Sequence, residues 1–106
     1  LGNFVLVCDA NGQQIEGFTQ DIMGIEPLKD RFTAFGAVAV EVDGHDIQAI
    51  RDAAKTPHPD KPLVIICRTS PHRGMPFLKK REPNLHFVGF KPGQETEEAT
   101  AFMESM

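Results

Sequence analysis

Three stretches of the chain are apolar without polar alternation: Phe4-Val5-Leu6-Val7-Cys8, Ala37-Val38-Ala39-Val40 and Leu63-Val64-Ile65-Ile66-Cys67. Short runs of this kind, rich in β-branched residues and bounded by turn signals, predict strands buried on both faces. The predicted strands are Phe4–Asp9, ended by Asp9-Ala10-Asn11-Gly12, then Ala37–Val42, ended by Asp43-Gly44, and Leu63–Cys67. Between the first two, Gly12–Gly24 has no clear period and reads as an ordered loop. Pro27 then stands where a helix N1 proline belongs, and Leu28, Arg31, Phe32 and Phe35 recur at helical spacing until Gly36 closes the helix. Asp46 is a suitable N-cap for a second helix whose apolar face is Ile47, Ile50, Ala53 and Ala54. Thr56–Pro62 is too rich in proline to continue it. Ser70–Pro83 reads as loop, Asn84–Phe90 as a short extended piece, and Glu95–Met106 as an acidic helix with Ala99, Phe102 and Met106 on one side. Phe32, Phe35 and Phe102 are expected in the core.

Strand, helix, strand, helix, strand is the order that builds a parallel sheet with helices on both faces, so the fold class is α/β. A length of 106 residues allows one domain that buries about two-thirds of its unfolded surface. The chain opens on Leu1 and enters its first strand almost at once, which suggests a fragment. Apolar residues at 41% and charged residues at 25% describe an ordinary globular composition. A formal charge of −4 argues against a dedicated nucleic-acid or anionic-membrane binder. The longest uncharged stretch containing apolar residues, Phe32–Val40, is too short to cross a bilayer. Cys8 and Cys67 lie inside apolar runs, which suits free thiols in a reduced, cytoplasmic protein. They lack the paired spacing with His58 or His72 that a zinc site requires.

In open parallel sheets ligands bind at the carboxyl ends of the strands, here Asp9–Gly24, Asp43–Asp46 and Arg68–Gly74. Asn11 offers an amide oxygen and Gln13 a main-chain carbonyl two positions on. Both can face one hard cation such as Mg²⁺, with phosphate and water completing an octahedron. Asn11-Gly12 is equally a turn dipeptide. His45 can serve a site or cap local backbone. Arg68, Arg73, Lys79, Lys80 and Arg81 form the basic cluster, suited to a phosphate or to a solvated face.

Several of these segments resemble the transketolases, enzymes dependent on thiamine diphosphate. Cys8-Asp9-Ala10-Asn11-Gly12-Gln13-Gln14-Ile15-Glu16-Gly17 is similar to the family's D-x-N-G-x-x-I-D-G, and Ala34-Phe35-Gly36 to the end of its a-F-G helix. Val40-Glu41-Val42-Asp43-Gly44-His45-Asp46 is similar to V-x-x-V-D-G-H-D, and Lys61-Pro62-Leu63-Val64-Ile65-Ile66-Cys67-Arg68-Thr69 to K-P-t-x-I-x-x-x-T. The resemblance implies the C-terminal part of the cofactor-binding domain. Asn11 through its side chain and Gln13 through its carbonyl would ligate Mg²⁺, and Ile15 would pack beside a cofactor ring, the alternative being ordinary core packing. Two departures stand out. Thr69-Ser70-Pro71-His72-Arg73-Gly74 answers to T-x-K-G-[KR]-G, keeping Arg73 as a candidate cofactor-binding residue but placing Pro71 for lysine and His72 for glycine. Phe87-Val88-Gly89-Phe90-Lys91-Pro92 answers to W-H-G-K-x-P, with Val88 in the place of a histidine that works near the cofactor. His86, two residues earlier and on the same side of an extended segment, is a candidate stand-in.

The family's G-D-G half and its pyrimidine-binding domain, which holds the glutamate that activates the cofactor, are both missing from these residues. The expectation is a single partial cofactor-binding domain over 1–106. It would be part or subunit of an enzyme that moves a two-carbon ketol unit from a ketose donor to an aldose acceptor, with partner domains or subunits supplying the rest. A non-catalytic α/β assembly or regulatory module derived from the family is the alternative.

Overall fold

The computed structural model describes residues 1–15 and 17–106; Glu16 of the N-G-x-x-I-x-G segment lies outside the described residues. The elements run β1 (Val5–Ala10), β2 (Gln13–Gln14), β3 (Gly17–Phe18), α1 (Thr19–Ile22), α2 (Leu28–Ala34), β4 (Val38–Asp43), α3 (Ile47–Ala53), β5 (Leu63–Arg68), a 3-10 segment Pro76–Arg81, and α4 (Gln94–Glu104). β1, β5 and β4 form a parallel sheet in that order, and β2 pairs with β3 antiparallel. The register sets Val5 and Val38 on either side of Leu63, and Ala10 and Asp43 on either side of Arg68. All three strands therefore finish at one level, and the loops leaving them start side by side.

β5 is central, and Leu63–Cys67 are all buried. Its alternate residues serve two layers, as the period of a strand requires. Val64 and Ile66 pack with Ala37, Ala39 and Leu28, backed by Cys8, Ala10 and Phe32. Leu63, Ile65 and Cys67 pack with Ala53, backed by Val38, Val40, Val42 and Ile50. α2 thus covers one face and α3 the other, the α/β arrangement expected.

Both helix starts have local causes. Asp46 Oδ1 accepts the Ala49 N–H at 3.1 Å and caps α3. Pro27 is the residue before α2 rather than its first, and its carbonyl accepts the Arg31 N–H at 3.3 Å. Glu26 Oε2 satisfies the otherwise unpaired Leu28 N–H at 3.1 Å. Gly36, at φ +95°, ends α2 as expected, and Phe35, at the helix end, is 92% exposed rather than in the core. Ile47 and Ala54 of the expected α3 face are also exposed, since the helix meets the sheet through Ile50 and Ala53.

β1 is an edge strand. Among the described residues it pairs on one side alone, and Val5 and Val7 are 47% and 58% exposed instead of buried. Neither helix reaches across β5 to cover them. From Ser70 on, the chain leaves the sheet. Phe77 packs on Phe90 and Phe102 with ring centroids 6.3 and 5.3 Å apart, which makes a separate aromatic cluster between the 3-10 segment and α4. Residues 84–90 form a bend without strand pairing, and Met106 is exposed beyond the end of α4. The radius of gyration is accordingly 17.3 Å, against about 13 Å for a compact domain of this length. No helix among the described residues is long and apolar enough to cross a membrane.

Candidate cofactor site

The loop after β1 is shaped by its own residues. Asn11 Oδ1 accepts the Gln13 N–H at 3.0 Å, an Asx turn, and Gly12 at φ +73° takes the left-handed conformation this path needs. The Gly12 carbonyl accepts the Thr19 N–H at 2.8 Å and ties the turn to the start of α1. The turn reading of Asn11 therefore holds. It is compatible with ligation, because a carbonyl oxygen carries two lone pairs and the turn uses one.

Asn11, Gln13, Gln14, Ile15 and Ile22 form one wall of a cleft of about 700 Å³. Pro71, Leu85 and His86 form the other. Asn11, Gln13, Ile15 and His86, four of the residues singled out from the sequence, thus line one cleft beside the carboxyl ends of the strands. Ile15 is 56% exposed and lines this cleft. Val88 is not among the lining residues, whereas His86 is, its ring set edge-on against Phe87 at 4.6 Å. Arg73 is exposed on the loop after β5 and is not brought to the cleft with the others.

The strand ends are laced together. The Gly44 N–H donates to the Arg68 carbonyl at 2.8 Å, and a Cβ on Gly44 would stand 2.5 Å from Thr69 Cγ2 and 2.9 Å from Cys67 Cβ. Only glycine fits so close an approach. Thr69 Oγ1 donates to Asp9 Oδ1. The His45 N–H donates to Asp43 Oδ1 at 2.9 Å, and His45 Nε2 accepts the Ser70 N–H at 2.8 Å. His45 therefore caps backbone and couples the turn after β4 to the loop after β5.

Two members of the basic cluster, Arg68 and Lys80, are paired with carboxylates. Arg68 grips Glu26 with Nη1 and Nη2, the latter at 2.8 Å, and Glu41 with Nε. This fork holds the Glu26 carboxyl below the usual carboxylate range, and the two carboxylates raise the guanidinium pKa further. Lys80 pairs with Glu98 at 2.6 Å, and Arg81 Nη1 donates to the Gly89 carbonyl at 2.6 Å. Arg73 and Lys79 have no side-chain partner among the described residues.

Glu82 was not legible as a site residue. Its Oε1 lies 2.9 Å from His72 Nε2 and accepts from Gln13 Nε2 at 3.4 Å, 69 residues away along the chain. A contact so distant in sequence leaves no local pattern. Leu85 likewise carries no motif.

The donor set at Asn11 and Gln13 consists of hard oxygens, which suit Mg²⁺. Among the described residues no three His, Cys, Asp or Glu side chains converge on a cation position. These two oxygens are neutral and are the donors of a partial cation site at most.

Parallel strands ending in one plane, loops laced at that plane and a cleft of mixed polar and apolar lining beside them are the features of an α/β domain that binds a ligand at its strand ends. Residues 1–92 match the family described as transketolase, thiamine diphosphate binding domain, and the chain belongs to that family. A putative uncharacterized transketolase family protein of Sinorhizobium fredii is 37% identical over 99% of this chain and 38% of its own length. An apulose-4-phosphate transketolase subunit of Actinobacillus succinogenes is 36% identical over 81% of this chain and 31% of its own length. Transketolase 2 of Escherichia coli is 39% identical over 77% of this chain and 13% of its own length. The chain thus spans well under half the length of these relatives.

Proposed function

We propose that this chain supplies the Mg²⁺–diphosphate wall of a transketolase-type site, within a domain whose G-D-G half and pyrimidine-binding partner come from elsewhere in the protein or from partner chains. The observation that carries the reading is the convergence of Asn11, Gln13, Ile15 and His86 on one cleft beside the strand ends. Asn11 Oδ1 and the Gln13 carbonyl would hold Mg²⁺, and Ile15 would give an apolar contact to a cofactor ring. Thiamine diphosphate, when bound, supplies the nucleophilic carbon for moving a two-carbon ketol unit from a ketose donor to an aldose acceptor. His86, which lines the cleft, would hold or return a proton at a substrate oxygen. This role for His86 makes Val88 a neutral replacement rather than a lost catalytic group. Arg73, without a side-chain partner among the described residues, is a cation on the loop after β5 available to a phosphate carried by a sugar-type substrate.

A relative named as one subunit of a transketolase supports a split assembly. Two unpaired thiols, Cys67 buried and Cys8 half-buried, suit a reducing, cytoplasmic setting. The test is titration calorimetry of thiamine diphosphate with Mg²⁺ on the assembly that contains this chain. Binding is expected, lost on chelation, and weakened at least about tenfold in Asn11→Ala, since losing even an outer-shell partner costs that much metal affinity. An assembly that binds no thiamine diphosphate would leave the non-catalytic module instead.

A further inference from the structure

We infer that Glu82 is a positioning residue, a clasp that sets the separation of the two cleft walls; the inference rests on the cofactor reading above. Its Oε1 takes Gln13 Nε2 from one wall at 3.4 Å and faces His72 Nε2 at 2.9 Å on the loop that leads to the other. The His72 and Glu82 side chains are 22% and 24% exposed, so water competes weakly for either contact. Gln13 belongs to the Asx turn in which Asn11 Oδ1 accepts its N–H, so its main chain is tied to the Asn11 side chain. Leu85 and His86 follow Glu82 by three and four residues and stand on the facing wall. One carboxylate thus fixes the proposed cation ligands relative to the proposed proton carrier. His72 enters the same account. It occupies a position where the resembling pattern has glycine, and its imidazole is what holds the clasp from the far side.

The main chain contributes a second anchor on this side alone: the Glu82 N–H donates to the Lys79 carbonyl at 3.1 Å, which seats the residue at the end of the 3-10 segment. The carboxylate is therefore presented by a short, ordered element rather than by a trailing loop. Removing it frees the loop 71–86 from the β1 turn without touching either sheet layer, because none of these three residues belongs to the two buried clusters.

The experiment compares wild type, Glu82→Ala, Glu82→Gln and the remote control Glu104→Ala, an exposed glutamate at the end of α4, all in the full-length protein within its assembly. Two quantities are read: affinity for thiamine diphosphate with Mg²⁺, and hydrogen–deuterium exchange of the cofactor-free protein. In Glu82→Ala the affinity is expected to fall about tenfold, the equivalent of one hydrogen bond to a charged group. Exchange is expected to quicken together in the segments around 13–15 and 85–88. Glu82→Gln keeps an acceptor oxygen and is expected to restore affinity to within about threefold of wild type. Should Glu82→Ala fail to fold, His72→Ala removes one arm and is expected to quicken exchange at 85–88 with a smaller loss of affinity. Wild-type binding with an unchanged Glu82→Ala affinity overturns the clasp alone, as does faster exchange confined to the residues next to 82. A wild type that binds no thiamine diphosphate overturns the cofactor reading and the clasp with it.

Discussion

Replacing Gly44 by alanine tests how tightly the turn after β4 is pressed against the end of β5. The new methyl would stand 2.5 Å from Thr69 Cγ2, 2.9 Å from Cys67 Cβ and 3.0 Å from the Arg68 carbonyl oxygen. None of the three yields easily. Rotating Thr69 breaks its hydroxyl bond to Asp9, and Cys67 Cβ is fixed to the backbone of the central, buried strand. The turn itself must retreat, which stretches the 2.8 Å bond from the Gly44 N–H to Arg68. Overpacking of this kind costs about 1–3 kcal/mol, and the weakened bond adds about 1 kcal/mol, giving roughly 2–4 kcal/mol in all. That is a large share of the stability of an ordinary domain. Urea unfolding of the protein, read as a midpoint shift at constant slope, measures it. Gly24→Ala is the internal control, since a methyl added there would meet nothing within 4 Å and the φ of Gly24 is ordinary. Equal midpoints for the two variants would refute the steric argument.

Three further outcomes follow from the site and its surroundings. His86→Ala should lower kcat about 10²- to 10⁴-fold in a ketose-donor assay while leaving cofactor affinity within a few fold, whereas Val88→Ala should leave both within a few fold of wild type. The Arg68 fork lowers the Glu26 pKa in the folded protein, so its stabilisation is present above the unfolded carboxylate pKa and lost as pH falls through the lower folded value. Acid titrations of stability should therefore show a smaller loss on acidification in Arg68→Gln than in wild type, by under about 1 kcal/mol because the pair is part-exposed. Burial raises the Cys67 thiol pKa, so this residue should resist a thiol reagent at mildly alkaline pH until the protein unfolds; prompt labelling of Cys67 in the native protein would contradict its placement at the back of β5.

The parts of the fold that announce themselves in sequence are those in which a local pattern and the tertiary surroundings agree. Leu63–Cys67 is a continuous apolar run and is the buried central strand; Asp46 is a strong cap and does cap; Gly36 ends α2 in the left-handed conformation. Where the surroundings decide, the pattern misleads. Phe4–Cys8 is as apolar as β5 yet sits at an edge, and Phe35 follows the helical period yet is exposed where the helix ends. The β2–β3 hairpin has strands of two residues, too short to display a period. The site behaves in the same way. Asn11, Gln13 and Ile15 lie within five consecutive residues and were legible as a motif, and His86 was reached through its neighbourhood. Glu82 meets Gln13 across 69 residues, a pairing that folding alone creates.

The bare side of β1 has a consequence for handling this stretch of chain by itself. From Phe4 to Cys8 it carries no charge, and among the described residues one whole row of its N–H and C=O groups is unpaired by any strand. An uncharged, valine-rich border of that kind is a template on which another copy can lay down the same strand, and proteins ordinarily blunt such borders with lysine, proline or a covering element. Residues 1–106 prepared in isolation would therefore be expected to lose material to self-association before they lose it to unfolding. The remedy lies at the border rather than in the core: a charge at Val7, which is 58% exposed, interrupts the template while leaving the buried face of β5 untouched.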